Sequence, residues 1–218
     1  MFNRHDRVWL SAAGWHAMRA QFPAHAEAFA QWEENVWPLI VRRNEADAEP
    51  DCVCLGLPLP PDASGNKLRI AVVARTENVA HRDAPLAVDL LTANLPSAWQ
   101  KIFGDFADTA ARDQMHFHVY GSAAMQSMTA LPYLHASSDI DLLFYPHTRA
   151  ELDRGVRLLQ QHARQLPLDG EIAFPSGRAV AWKEWLGADD AQGPLHILTK
   201  SMQSVNLVRR EDLLAELD

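Results

Sequence analysis

Residues 138–145 read Ser-Asp-Ile-Asp-Leu-Leu-Phe-Tyr, and no other stretch constrains this chain as much. The apolar weight and the alternation are those of a buried strand, yet two carboxylates sit two residues apart in it. Side chains on a strand alternate faces, so Asp139 and Asp141 point the same way while Ile140 and Leu142 point into a core. Two carboxylates side by side repel each other. A cation between them removes that cost, and a pair of hard oxygen donors suits Mg²⁺ (or Mn²⁺). Such an ion holds and neutralises phosphate oxygens during displacement at phosphorus. The plain alternative is a hydrogen-bonded acid pair at a strand end.

Upstream lies HVYGSAAM. A strand ends at Tyr120, Gly121 allows a tight turn, and Ser122 stands at the start of a helix. A helix N-terminus presents free N–H groups and partial positive charge, which is a place for a phosphate. The Ser122 hydroxyl adds a donor. The two halves explain each other: the Gly-Ser turn holds leaving phosphates, and the D-x-D strand holds metal.

The rest of the chain reads as α+β, with a mixed α/β part over residues 1–95 and an α/β part over residues 96–218. In the first part, Arg7–Leu10 is strand-like and Ser11 can cap a helix over 12–22. Pro23 interrupts, and a second helix spans 25–37. Residues 42–51 form a loop; 52–57 and 68–74 are strands joined by a Pro-, Gly- and Asn-rich turn. In the second part, a helix runs over 96–115, strands over 117–120 and 138–145, and a long helix over 147–166. Asp169-Gly170 is a turn signal, followed by a hairpin over 171–174 and 178–182, a strand over 196–200 and a short helix over 211–217.

Composition narrows the function classes. A formal net charge of -8 argues against coating nucleic acid, which needs a basic face. It leaves a nucleotide substrate open, because a bound ion supplies positive charge locally. The two cysteines, Cys52 and Cys54, are spaced for one strand face rather than for a disulfide, and read as packed thiols. No signal core or membrane-length apolar run is present, so a cytoplasmic protein without a membrane partner is expected.

A Gly-Ser turn followed by D-x-D on a strand resembles the nucleotidyltransferase superfamily of the DNA polymerase β type. From Ser122 to Asp139 there are 17 positions, more than most members show. The longer stretch YGSAAMQSMTALPYLHASSDIDLLFYP resembles the holo-acyl-carrier-protein synthases of malonate decarboxylase, the phosphoribosyl-dephospho-CoA transferases. RHDRVWL near the start, DGEIAFPSGRAVAWKEW and Lys200 are similar to that family too. The resemblance implies a polymerase-β-like catalytic domain with a mixed sheet flanked by helices. It implies transfer of phosphoribosyl-dephospho-CoA from triphosphoribosyl-dephospho-CoA to a serine of the apo acyl carrier subunit, with release of pyrophosphate.

Within that resemblance, Asp139 and Asp141 are metal ligands, and a third acid on a later strand is Glu171, with Asp169 as the other candidate. Gly121, Ser122, Ser138 and Lys200 belong to the phosphate site. His135 in the long loop could reach the substrate. His116 and His118 share one strand face and read as packing. His5-Asp6 has no assigned role. Arg149, Arg154, Arg157 and Arg164 on the long helix could form a basic patch for an acidic carrier, or an ordinary solvated face. Two other classes remain: another nucleotidyltransferase acting on a small molecule, protein or RNA end, and a non-catalytic nucleotide-binding module.

Overall fold

The computed structural model describes residues 2–45, 49–187 and 196–217. The chain divides into two compact units, residues 1–85 with 128–132, and residues 86–127 with 133–218. Among the described residues no helix is long and apolar enough to cross a membrane.

The first unit is a five-stranded antiparallel sheet with two helices. Its elements are β1 (Arg7–Leu10), α1 (Ala12–Gln21), α2 (Ala26–Glu34), β2 (Leu39–Val41), β3 (Cys52–Pro58), β4 (Arg69–Arg75) and β5 (Val79–Asp83). The order across the sheet is β4-β3-β2-β1-β5. Burial alternates along β4, where Ile70, Val72 and Ala74 face the core between exposed Arg69, Ala71 and Arg75. Ser11 caps α1 as expected, its hydroxyl accepting the Gly14 N–H at 3.2 Å. Trp15 of α1 and Phe29 of α2 meet with ring centroids 6.4 Å apart, inside the core. Cys54 is buried and Cys52 half-buried, both as free thiols. The second helix ends short of the expected residue 37, because Val36 takes φ 55°, outside helical space.

The second unit holds a seven-stranded mixed sheet. In chain order it has β6 (Leu86–Ala87), α3 (Ser97–Arg112), β7 (Phe117–Tyr120), α4 (Gly121–Thr129), β8 (Ile140–Phe144) and α5 (Arg149–His162). There follow β9 (Leu168–Ala173), β10 (Ala179–Ala181), α6 (Trp182–Gly187), β11 (His196–Lys200), β12 (Val205–Arg209) and α7 (Arg210–Leu214). The order is β12-β11-β10-β9-β8-β7-β6. Among the described strands only β8 and β9 pair in parallel, and α5 supplies the crossover between them. Leu86–Ala87 pairs with β7 and so stands with the second unit, ahead of residue 96 where the sequence placed the division.

Paired residues point to the same face, so the register sorts the sheet. One face carries Phe117, Val119, Ile140, Leu142, Phe144, Leu168 and Ile172, all buried. The helices α3 and α5 cover this face: Phe106 meets Phe117 at 5.0 Å, Phe117 stacks on Phe144 at 4.3 Å, and a β-carbon on Gly155 would fall inside the Phe144 ring. The other face carries Tyr120, Asp141, Asp169, Glu171, Ala181 and Lys200.

Asp169-Gly170 is not a turn. Both residues lie inside β9, level with Asp141 and Leu142 of β8. Gly170 takes φ 127°, and a β-carbon there would overlap the Leu142 backbone. A glycine within a strand can mark close backbone approach as readily as a chain reversal, and here it does the former.

Candidate active site

The site is assembled where β7 passes into α4. Antiparallel pairing sets Tyr120 opposite Asp141, so the chain turns into α4 right beside that carboxylate. Gly121 takes φ 69°, and a β-carbon on it would fall within the Asp141 carboxylate, with Cγ only 3.0 Å away. Only a glycine serves there, for backbone conformation and for space. Gly121 of the turn and Asp141 of the D-x-D pair are thus in direct contact. Ser122, 8% exposed, sits in the first turn of α4, where helical N–H groups lack intrahelical acceptors. Asp139 and Asp141 are each half-buried, which keeps them within reach of solvent.

Parallel pairing of β8 with β9 sets Asp169 level with Asp141 and Glu171 level with Leu143. Three carboxylates, Asp141, Asp169 and Glu171, therefore share one face of the sheet, and Asp139 lies just ahead of β8, outside the strand expected over 138–145. Glu171 is 5% exposed and accepts a hydrogen bond from Lys200 Nζ at 3.0 Å. Asp169 is more open, with its Oδ1 3.4 Å from Lys183 Nζ. Among the described residues, the one trio of acid or thiol groups with ligand atoms within 4.8 Å of one another is Glu49, Asp51 and Cys52, on the first unit. Asp139, Asp141 and Glu171 are not drawn together so closely. Glu171 leans toward Lys200, and Asp169 stands in register with Asp141.

The remaining candidates sort by their bonds. Ser138 is 4% exposed and closes a tight turn, its hydroxyl accepting the His135 N–H at 3.0 Å and its own N–H donating to His135 O at 2.9 Å. His135 is exposed, its Nδ1 3.1 Å from the Ser137 hydroxyl. His116 packs against His147, and His118 against Tyr145. Asp6 is buried in the first unit, 2.8 Å from the Asn3 N–H and 3.3 Å from Arg82, and burial pushes its carboxyl above the ordinary aspartate range. Arg149, Arg154 and Arg157 lie on α5 and Arg164 just beyond its end; all four are exposed, but α5 covers the opposite, helical face of the sheet.

One residue escaped the sequence reading. Gln126 on α4 accepts two backbone N–H groups with its side-chain oxygen, Tyr133 at 3.1 Å and Leu134 at 2.9 Å. It pins the long loop between α4 and β8. Burial raises the Tyr133 hydroxyl far above the usual phenol range, so this ring anchors the loop as a packed group. The only signal was an amide on a short helix before a long insertion, which is too common to read.

The chain matches a family model described as the phosphoribosyl-dephospho-CoA transferase MdcG C-terminal domain over residues 85–211. The corresponding N-terminal domain model matches residues 3–85. A phosphoribosyl-dephospho-CoA transferase of Xanthomonas euvesicatoria pv. vesicatoria is 37% identical over 216 residues, covering 98% of this chain and 97% of the relative. One from Bradyrhizobium diazoefficiens is 35% identical, covering 97% and 92%. A third, from Klebsiella pneumoniae, is 30% identical, covering 84% and 85%. No solved structure matches the chain.

Proposed function

The chain belongs to the phosphoribosyl-dephospho-CoA transferase family, and from that premise we propose how this transferase uses its acidic face. The donor is triphosphoribosyl-dephospho-CoA. The acceptor is a serine hydroxyl on the apo acyl carrier subunit of malonate decarboxylase. The serine oxygen attacks the phosphorus attached to the ribose, a P–O bond forms, and the P–O bond to pyrophosphate breaks. The products are a phosphodiester on the carrier, pyrophosphate, and the proton given up by serine. The observation that carries this reading is the contact of Gly121 with the Asp141 carboxylate, which joins a phosphate-binding turn to an acid pair.

The donor set fits Mg²⁺ or Mn²⁺, because Asp139 and Asp141, two positions apart and each half-buried, offer hard oxygens. When bound, the ion supplies charge neutralisation at the phosphate oxygens. The first turn of α4 receives the pyrophosphate through its N–H groups and Ser122. Lys200 adds a point charge at the edge of the site. The third carboxylate is Glu171 or, on the evidence of register, Asp169. Where Asp169 is the ligand, Glu171 acts as the base that takes the serine proton.

Intact-mass measurement tests this directly. Apo carrier incubated with the enzyme, donor and Mg²⁺ is expected to gain one phosphoribosyl-dephospho-CoA group on one serine. Labelling should stop in excess chelator, and turnover persisting without divalent metal would refute the assignment. Comparing Asp169→Asn with Glu171→Gln identifies the third carboxylate: the true ligand's variant needs more Mg²⁺ for half-maximal rate.

A further inference from the structure

The acidic face does not end at Lys200. Pairing of β11 with β12 sets Lys200 opposite Val205, Leu198 opposite Leu207, and His196 opposite Arg209, so these six continue the same face outward from Glu171. Three of them are exposed apolar side chains: Leu198 at 39%, Val205 at 41% and Leu207 at 65%. They stand on adjacent rungs and form a patch. Lys200, paired with Glu171, stands on the side of the acids, and His196 with Arg209 at the far end, where Asp212 holds the arginine at 2.9 Å. Large exposed apolar groups that cluster on a charged protein mark contact surfaces.

We propose that this β11–β12 surface docks the acceptor protein, through an apolar patch on the acceptor. The inference rests on the function proposed above. Two features select this occupant. The patch is continuous with the reaction site through Lys200, which touches Glu171 on one side and neighbours Val205 on the other. An acceptor seated there lies on the face of the sheet that holds Asp141. The arginines of α5 serve a docked acceptor poorly, because the whole sheet separates them from that face.

The test compares Leu207→Glu with Leu207→Lys, using apo acyl carrier and donor as separately varied substrates. Leu207→Glu is expected to raise the carrier KM by about tenfold, the scale of losing one anchoring contact, with kcat and donor KM unchanged. Leu207→Lys should raise it comparably, because either charge breaks an apolar contact. No effect of either variant would overturn the proposal. A rise in donor KM would give the patch to the donor's pantetheine arm instead. A change in sedimentation coefficient would give it to a second copy of this chain. If the wild-type enzyme labels no carrier, the proposed function fails and the docking surface with it. If the wild type labels normally and the variants match it, only the docking surface fails.

Discussion

Glycine at 121 and aspartate at 141 depend on each other, because one leaves the space that the other's carboxylate fills. Asp139→Asn and Asp141→Asn should each lower carrier labelling by roughly 10²–10³-fold, the scale of removing one preorganised electrostatic group. Unchanged far-ultraviolet circular dichroism would show that the fold survives. Gly121→Ala brings both a strained backbone and a displaced carboxylate; it should cost about 1–3 kcal/mol in stability and most of the activity. Urea unfolding and the labelling assay read these separately. Asp6 has a pH signature. Its pKa is raised in the folded protein by burial, so the folded chain holds that proton more tightly than the unfolded chain does. The stabilisation is full below the unfolded pKa and is lost as pH rises through the folded one. Asp6→Asn removes this term, so its stability relative to wild type should improve from about pH 4 to about pH 7. Urea melts at both ends of that window check the sign.

The elements that position the site are those with strong periodic patterns. The four-residue strand Phe117–Tyr120 was legible in full. The long helix was legible in its core, but its start, read at His147, lies at Arg149, where the Thr148 hydroxyl accepts the Glu151 N–H at 3.1 Å and the Glu151 carboxylate accepts the His147 N–H at 2.9 Å. The short or irregular elements were not legible. β2 has three residues, β12 has no buried alternation, and α6 follows β10 without a break. A few residues carry too little periodicity to separate strand from loop. The Gly155 approach to Phe144 sets how closely α5 lies on the sheet. Gly155→Val should overpack that contact, costing about 1–3 kcal/mol. A thermal melt should fall by roughly 2–4 °C for each kcal/mol lost.

At the scale of the molecule, the second unit has two unlike faces. Helices seal one, and the other carries the acids and then the apolar strands at the edge. Charge reversal at Arg154 and Arg157 together should leave the carrier KM within about twofold of wild type, since lone surface charges far from a contact contribute little. Steady-state kinetics with varied carrier decide it. The sequence by itself determined that Asp141 lies on a strand, that a Gly-Ser turn leads into a helix, and that α and β elements alternate, though it ran that strand back over Asp139, which stands ahead of β8. These depend on neighbours along the chain, where strand and helix periods act. Only the tertiary structure decided that Asp169 stands level with Asp141, that Glu171 bonds to Lys200 29 positions away, and that the arginine-bearing helix lies behind the sheet. Those depend on strand register and on which face a crossover helix covers, and long-range packing sets both.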